Sequence, residues 1–222
     1  WQLPISIKKC TVIAFGETDD CDYNIDGCSI KHEREVRDLG VIVDSSLKFN
    51  AHINRVVAKA QQRACLIRKC FLSRNRCLLL RAFNVYVRPL LEYASSVWSP
   101  YYQYAIDKVE SVQRRFTKLL PGMKDLSYSD RLRELCVTSL EKRRIILDLV
   151  LTYKIVFGHV DVDSSKFFVL RQINGATTRG NPYKLVLNNC RTNARISFFS
   201  ERVTPIWNCL SSATVNFTSV NS

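Results

Sequence analysis

Long apolar runs are missing from this chain. None approaches the roughly 20 residues that a membrane-crossing helix needs, so no membrane partner is expected. The N-terminus has no unbroken apolar core, and no secretory signal is read there. Histidine is scarce: His32, His52 and His159 are the only three, and none stands at ligand spacing from a cysteine pair. Scattered in this way, they offer nothing specific for proton transfer. There is no Gly-x-Ser-x-Gly elbow and no phosphate loop, which removes the common hydrolase and nucleotidase signatures. Internal repeats and low-complexity blocks are absent too. Methionine occurs once, at Met123, and the chain opens on Trp1, so a piece of a longer reading frame is expected.

Acidic pairs are equally rare. The one doublet, Asp19-Asp20, invites a metal reading, because paired carboxylates can hold two divalent ions. A catalytic pair needs apolar strand residues on both sides to hold it rigid. This one sits in Gly-Glu-Thr-Asp-Asp-Cys-Asp, a soft polar context suited to a solvated turn. No catalytic residue and no metal ligand is therefore assigned.

Cysteine, by contrast, is plentiful at nine. The number is odd, and the spacings 21–28 and 65–70–77 match no compact zinc pattern. Cys65, Cys70, Cys136 and Cys209 fall inside apolar patterns, where cysteine is expected to act as a small buried hydrophobe. Reduced thiols in an intracellular protein follow, with nucleus and cytoplasm both open.

With 222 residues, 46% hydrophobic and 24% charged, the composition is that of an ordinary globular protein able to bury a real core. The net charge of +13 favours polyanionic partners. Its distribution says more than its sum. Residues 1–50 hold 6 Lys/Arg against 9 Asp/Glu, residues 51–120 hold 13 against 3, and residues 121–222 hold 14 against 8. Basic charge is concentrated on the middle of the chain, as an electrostatic track for phosphate requires.

Pattern divides the chain into an α+β, mainly α arrangement. Residues 1–50 read as β structure, a hairpin or small sheet. Apolar residues 10–15 form one expected strand, Asp26-Gly27 a hairpin turn, and residues 39–43 a further strand closed by Asp44. From Asn50 the period turns helical, with Ile53, Val56, Val57, Ala60, Ala64, Ile67 and Phe71 on one stripe. A second helix over about 77–92 carries Pro89, so a break near Arg88 is expected. A third runs over about 104–120 and stops at Pro121-Gly122. These make a basic helical bundle over 51–122, hinged at Ser99-Pro100. A helical extension follows over 123–160, with starts at Ser127 and Ser139. Residues 161–222 read as a mixed region, with short strands at 167–170 and 183–187 around the turn-rich 174–180. A last helix is expected within 197–207, and the tail from Ser211 is expected to fray.

The basic faces are the positive signal. Arg55, Lys59, Arg63, Arg68 and Lys69 lie mostly off the first apolar stripe, while Arg114, Arg115 and Lys118 share one side of the third helix. Lys142-Arg-Arg144 repeats the pattern, so Arg143 and Arg144 join the candidate set. Any one cluster is equally a solvated face. Together, with three acids in 70 residues, they read as phosphate contacts that position a duplex without reading its sequence. Tyr86, Tyr93, Trp98, Tyr101 and Tyr102 are able to stack on bases, but fall near apolar helical positions, where core packing is expected of most.

An ordered series of landmarks extends across the chain. It runs through Trp1, Lys9-Cys10, Asp38-Leu-Gly-Val41, Asp44 with Leu47, and His52-Ile53. Arg88-Pro-Leu-Leu-Glu-Tyr93, Val97-Trp98-Ser-Pro100 and Val112-Gln-Arg-Arg115 come next. Tyr128 with Arg131-Leu132, Leu140-Glu with Arg143-Arg144, Tyr153-Lys154 and Thr178-Arg-Gly180 follow, and the series closes with Phe198-Phe-Ser and Trp207-Asn208. In this order they resemble the part of jockey-like non-LTR (LINE-type) retrotransposon reverse transcriptases that follows the catalytic aspartates. The resemblance implies that 1–50 corresponds to the palm end and primer-grip hairpin, and 51–122 to the thumb, which holds the template–primer duplex. Residues from 123 onward resemble the region after it. It further implies an RNA template and DNA primer as partners, together with the upstream palm and fingers of the same polyprotein. Mg2+ is expected only in the intact polymerase, whose palm aspartates have no counterpart here; this chain alone is expected to be inactive. The alternatives are a host-retained helical protein–protein interaction module and a decayed element remnant without an enzymatic role.

Overall fold

A computed structural model describes residues 6–16, 21–171 and 182–211. Trp1, the Asp19-Asp20 doublet, the turn at 174–180 and the tail beyond Ser211 lie outside them. The fold is α+β and mainly α, with 53% of the described residues in helix against 9% in strand. Among the described residues, all the strands precede the first α-helix.

The β region consists of three two-stranded ladders. β1 (Thr11–Val12) pairs in parallel with β4 (Lys31–His32), and β2 (Asn24–Ile25) pairs antiparallel with β3 (Cys28–Ser29). The strand expected over 10–15 is thus only two residues long. Asp26-Gly27 makes the expected turn, with φ of 50° and 77°. The longest ladder joins β5 (Glu35–Asp38) to β6 (Val41–Asp44), in register Val36 with Val43 and Asp38 with Val41. Sequence pattern missed β5, whose Glu-Val-Arg-Asp is too polar to stand out. It also placed Leu39-Gly40 in a strand. Both have positive φ, 43° and 92°, and form the hairpin turn instead.

Asp44 then stops the strand and starts the helices. Its carboxylate accepts the backbone amides of Ser46, Lys48 and Phe49 and the Ser46 hydroxyl. Partial burial raises the Asp44 pKa, but these hydrogen bonds outweigh it and the net shift is downward. α1 (Asn50–Cys70) follows, burying Ile53, Val57, Ala60, Ala64 and Ile67 as its spacing predicts. α2 (Arg76–Tyr86) is capped by the Asn75 side chain. The break at Arg88 occurs as expected, with Pro89 in the first turn of α3 (Arg88–Glu92), where its missing N–H leaves no gap. A short α4 (Ser95–Trp98) precedes the hinge at Ser99-Pro100, and α5 (Gln103–Lys118) follows it.

These elements enclose one core around Ile53, Phe83, Val87, Leu91, Trp98, Val109 and Phe116, all at most 2% exposed. α6 (Tyr128–Glu134) and α7 (Leu140–Val156) begin at Ser127 and Ser139, whose side chains cap them. α7 gives Leu140 to the first core, and Tyr153 and Ile155 to a second one. The second core adds Phe168, Leu185 and, from α9 (Phe199–Cys209), Phe199, Val203 and Trp207; α8 (Asn193–Ile196) lies just before α9. Between 167–170 and 183–187 the expected strands reduce to a single antiparallel bridge, Leu170 to Leu185. Cys65, Cys70, Cys136 and Cys209 are all exposed, contrary to the burial expected of them. Each lies beside an apolar stripe rather than on it. Among the described residues no helix is long and apolar enough to cross a membrane.

Candidate nucleic-acid interface

The outer face of α1 carries a ridge of cations. Arg55, Lys59 and Arg63 are all exposed and follow one another at four-residue spacing, about 6 Å apart along the axis. Lys69 returns to the same side, while Arg68 turns to the flank facing α5. The apolar stripe on the other side fixes this orientation. The hairpin seats the start of α1: the buried His52 accepts the Ile42 amide through Nδ1 at 3.2 Å, and its ring meets Trp98 edge-on at 5.1 Å. That bond fixes the proton on Nε2. Burial, together with the Arg55 charge, lowers the His52 pKa to about 4.

α5 lies beside α1 and runs in the same direction. The Tyr104 hydroxyl donates to Asn50 at 2.8 Å, and one turn further on the Lys108 ammonium donates to Asn54. Near their far ends, Arg115 faces Arg68 across a groove that also holds Gln61 and Cys65. Lys118 is exposed in the last turn. Arg114 projects away from α1, 3.7 Å from Asp107 and over the Tyr128 ring at 5.1 Å.

Two residues of the candidate set are engaged within the fold. Arg143 is held by Glu92 through Nε and through Nη2 at 3.1 Å, and this hydrogen bond raises its pKa further. Arg144 is 3% exposed, and burial lowers its pKa. The cause lies at the start of α7. The buried Glu110 accepts the Tyr128 hydroxyl and, at 3.2 Å each, the amides of Leu140 and Glu141. A carboxylate at a helix amino end is favourable, and docking α7 there turns Arg143 and Arg144 inward. Only Lys142 of that cluster is exposed.

The few acids of the helical bundle are all engaged. Glu92 holds Arg143 and lies 3.8 Å from Arg88, Glu110 anchors α7, and Asp107 lies by Arg114. Among the described residues, Arg55, Lys59, Arg63, Arg68, Lys69, Arg115 and Lys118 have no acidic partner within ion-pair distance. The +10 of residues 51–120 is thus expressed outward rather than cancelled. Arg74 and Lys108, which sequence reasoning left out, are exposed on the same unit. The period of α5 is enough to place Lys108 on the α1 side. Of the aromatics, Trp98 is buried as expected, whereas Tyr86 is exposed, and Tyr93 keeps an exposed ring while its hydroxyl bonds the Leu39 carbonyl.

An uncharacterized protein of Caenorhabditis elegans is 30% identical to this chain over 127 residues, 56% of the chain and 64% of that protein. The RNA-directed DNA polymerase from mobile element jockey of Drosophila funebris is 28% identical over 127 residues, 55% of the chain and 14% of the polymerase. The matched region thus spans less than two thirds of the length of either relative. No family model and no solved structure matches. The chain thus has a region similar to a mobile-element RNA-directed DNA polymerase.

Proposed function

We propose that this chain is the duplex-holding part of a non-LTR retrotransposon reverse transcriptase, without its catalytic aspartates. In this reading 1–50 is the palm end with its primer-grip hairpin, 51–122 the thumb, 123–160 a helical extension and 161–222 a C-terminal region. The observation that carries it is the cationic ridge Arg55, Lys59 and Arg63 on α1, without an acidic partner among the described residues and extended by Arg68, Lys69, Arg115 and Lys118. Charges at such a spacing, free of acids, suit successive phosphates of a template–primer hybrid. Arg114 sits at the margin of this surface. Similarity to the jockey polymerase supports the parentage.

The test is a titration of the chain with an RNA–DNA hybrid across a range of salt, paired with a primer-extension assay. The expected result is affinity that falls steeply and linearly on a log–log salt plot, with no extension. Binding indifferent to salt overturns the grip. Extension by the chain alone overturns its catalytic inertness.

A further inference from the structure

Where α1 and α5 end side by side, a cleft of about 300 Å3 opens between them and the segment leading to α2. Among the described residues, Arg68, Lys69 and Arg74 line it and no carboxylate does. The carboxyl ends of two helices carry about half a negative charge each, so three cations leave the cleft clearly positive. Its floor is apolar, built on the buried Phe116 and Leu120. Two further leucines on its wall face solvent: Leu72 is 94% exposed and Leu119 48%.

This combination separates the cleft from the ridge. Phosphates satisfy cations but have no use for two solvent-facing leucines beside them. Exposed aliphatic surface rimmed by charge is the mark of a protein-binding surface, and depositing a leucine-like side chain on it releases water from both partners. We propose that this cleft docks an acidic protein segment whose carboxylates alternate with large aliphatic side chains. The carboxylates meet Arg68, Lys69 and Arg74, and the aliphatic groups cover Leu72 and Leu119. The site goes beyond the duplex grip, with which it shares Arg68 and Lys69, and is testable separately because Leu72 belongs to no part of that grip.

The probe is a synthetic amphipathic peptide with leucine at i, i+3 and i+4 and glutamate elsewhere. Its control keeps the glutamates and replaces every leucine by alanine. The full chain is expected to bind the probe and to bind the control at least about tenfold more weakly. That factor corresponds to about 1.4 kcal/mol, just under the roughly 1.5–3 kcal/mol that fully burying one leucine gives. Leu72→Ser, at a position too exposed to support the fold, is expected to weaken probe binding about tenfold and to leave binding of the RNA–DNA hybrid unchanged. Arg74→Glu is expected to abolish probe binding. Equal binding of probe and control, or no binding of either, overturns the proposal. A loss of hybrid affinity in Leu72→Ser to match the loss of probe affinity also overturns it, by giving the cleft to nucleic acid.

Discussion

His52 accepts the backbone amide of Ile42 through Nδ1 at 3.2 Å, and this bond exists only while the ring is neutral. The hairpin β5–β6 and α1 therefore share a contact that a proton breaks. With its pKa lowered to about 4 from 6.5, His52 favours folding fully above about pH 6.5 and loses that contribution as pH falls toward 4. The loss is on the order of 3 kcal/mol. Urea midpoints measured between pH 7 and pH 4 should show it. His52→Gln, less stable at pH 7, should flatten the dependence in that window.

Replacing Arg55, Lys59 and Arg63 together by alanine should remove about three units from the slope of log affinity against log salt for an RNA–DNA hybrid. All three are exposed and alanine favours helix, so stability should shift by no more than about 0.5 kcal/mol per site. Fluorescence anisotropy at several salt concentrations, alongside thermal melts, reads both quantities.

Arg143 and Glu92 should behave as a structural pair. They are 29% and 15% exposed at the side chain, and the contact is two-pronged. A double-mutant cycle with Arg143→Met and Glu92→Gln should give a coupling of about 1–2 kcal/mol, between the values for surface and buried pairs. Arg143→Met should leave the salt slope of hybrid binding almost untouched, which a true phosphate contact would not.

Leu39 is 84% exposed at φ 43°, in a turn whose geometry favours asparagine followed by glycine. Leu39→Asn should raise stability by about 0.5–1 kcal/mol, since no packing is lost and the strained backbone is relieved. Tyr93 bonds the carbonyl of residue 39, which the substitution keeps. A higher urea midpoint is the expected readout.

The helical half of the fold was legible in the sequence because its signals are local. The stripe from Ile53 to Ile67, the caps at Ser127 and Ser139, the break at Pro89 and the stop at Gly122 each follow from period or from one residue's backbone chemistry. Strand β5 was not legible, because a two-stranded ladder with exposed faces imposes no alternation of apolar residues. The ridge on α1 was readable as positions off the apolar stripe. The engagement of Arg143 and Arg144 within the fold was not legible, for a different reason. What turns them inward is Glu110, some thirty positions earlier, receiving the amides of Leu140 and Glu141, and no window along the chain contains that pairing. Cys65, Cys70, Cys136 and Cys209 illustrate the same limit, since standing next to a stripe is not standing on it.

Helix α7 belongs to both cores at once, through Leu140 at one end and Tyr153 and Ile155 at the other, with Asp148 bonded to Arg202 of α9 between them. Neither core can melt without exposing half of a continuous helix whose remaining half is still packed. Helical order propagates along a backbone far more easily than it begins anew. The two cores should therefore melt as one cooperative unit, with a single calorimetric peak whose van't Hoff and measured enthalpies agree. A cut placed within α7 would leave each side with an unpartnered apolar edge, so the natural seams of this molecule for dissection lie outside it.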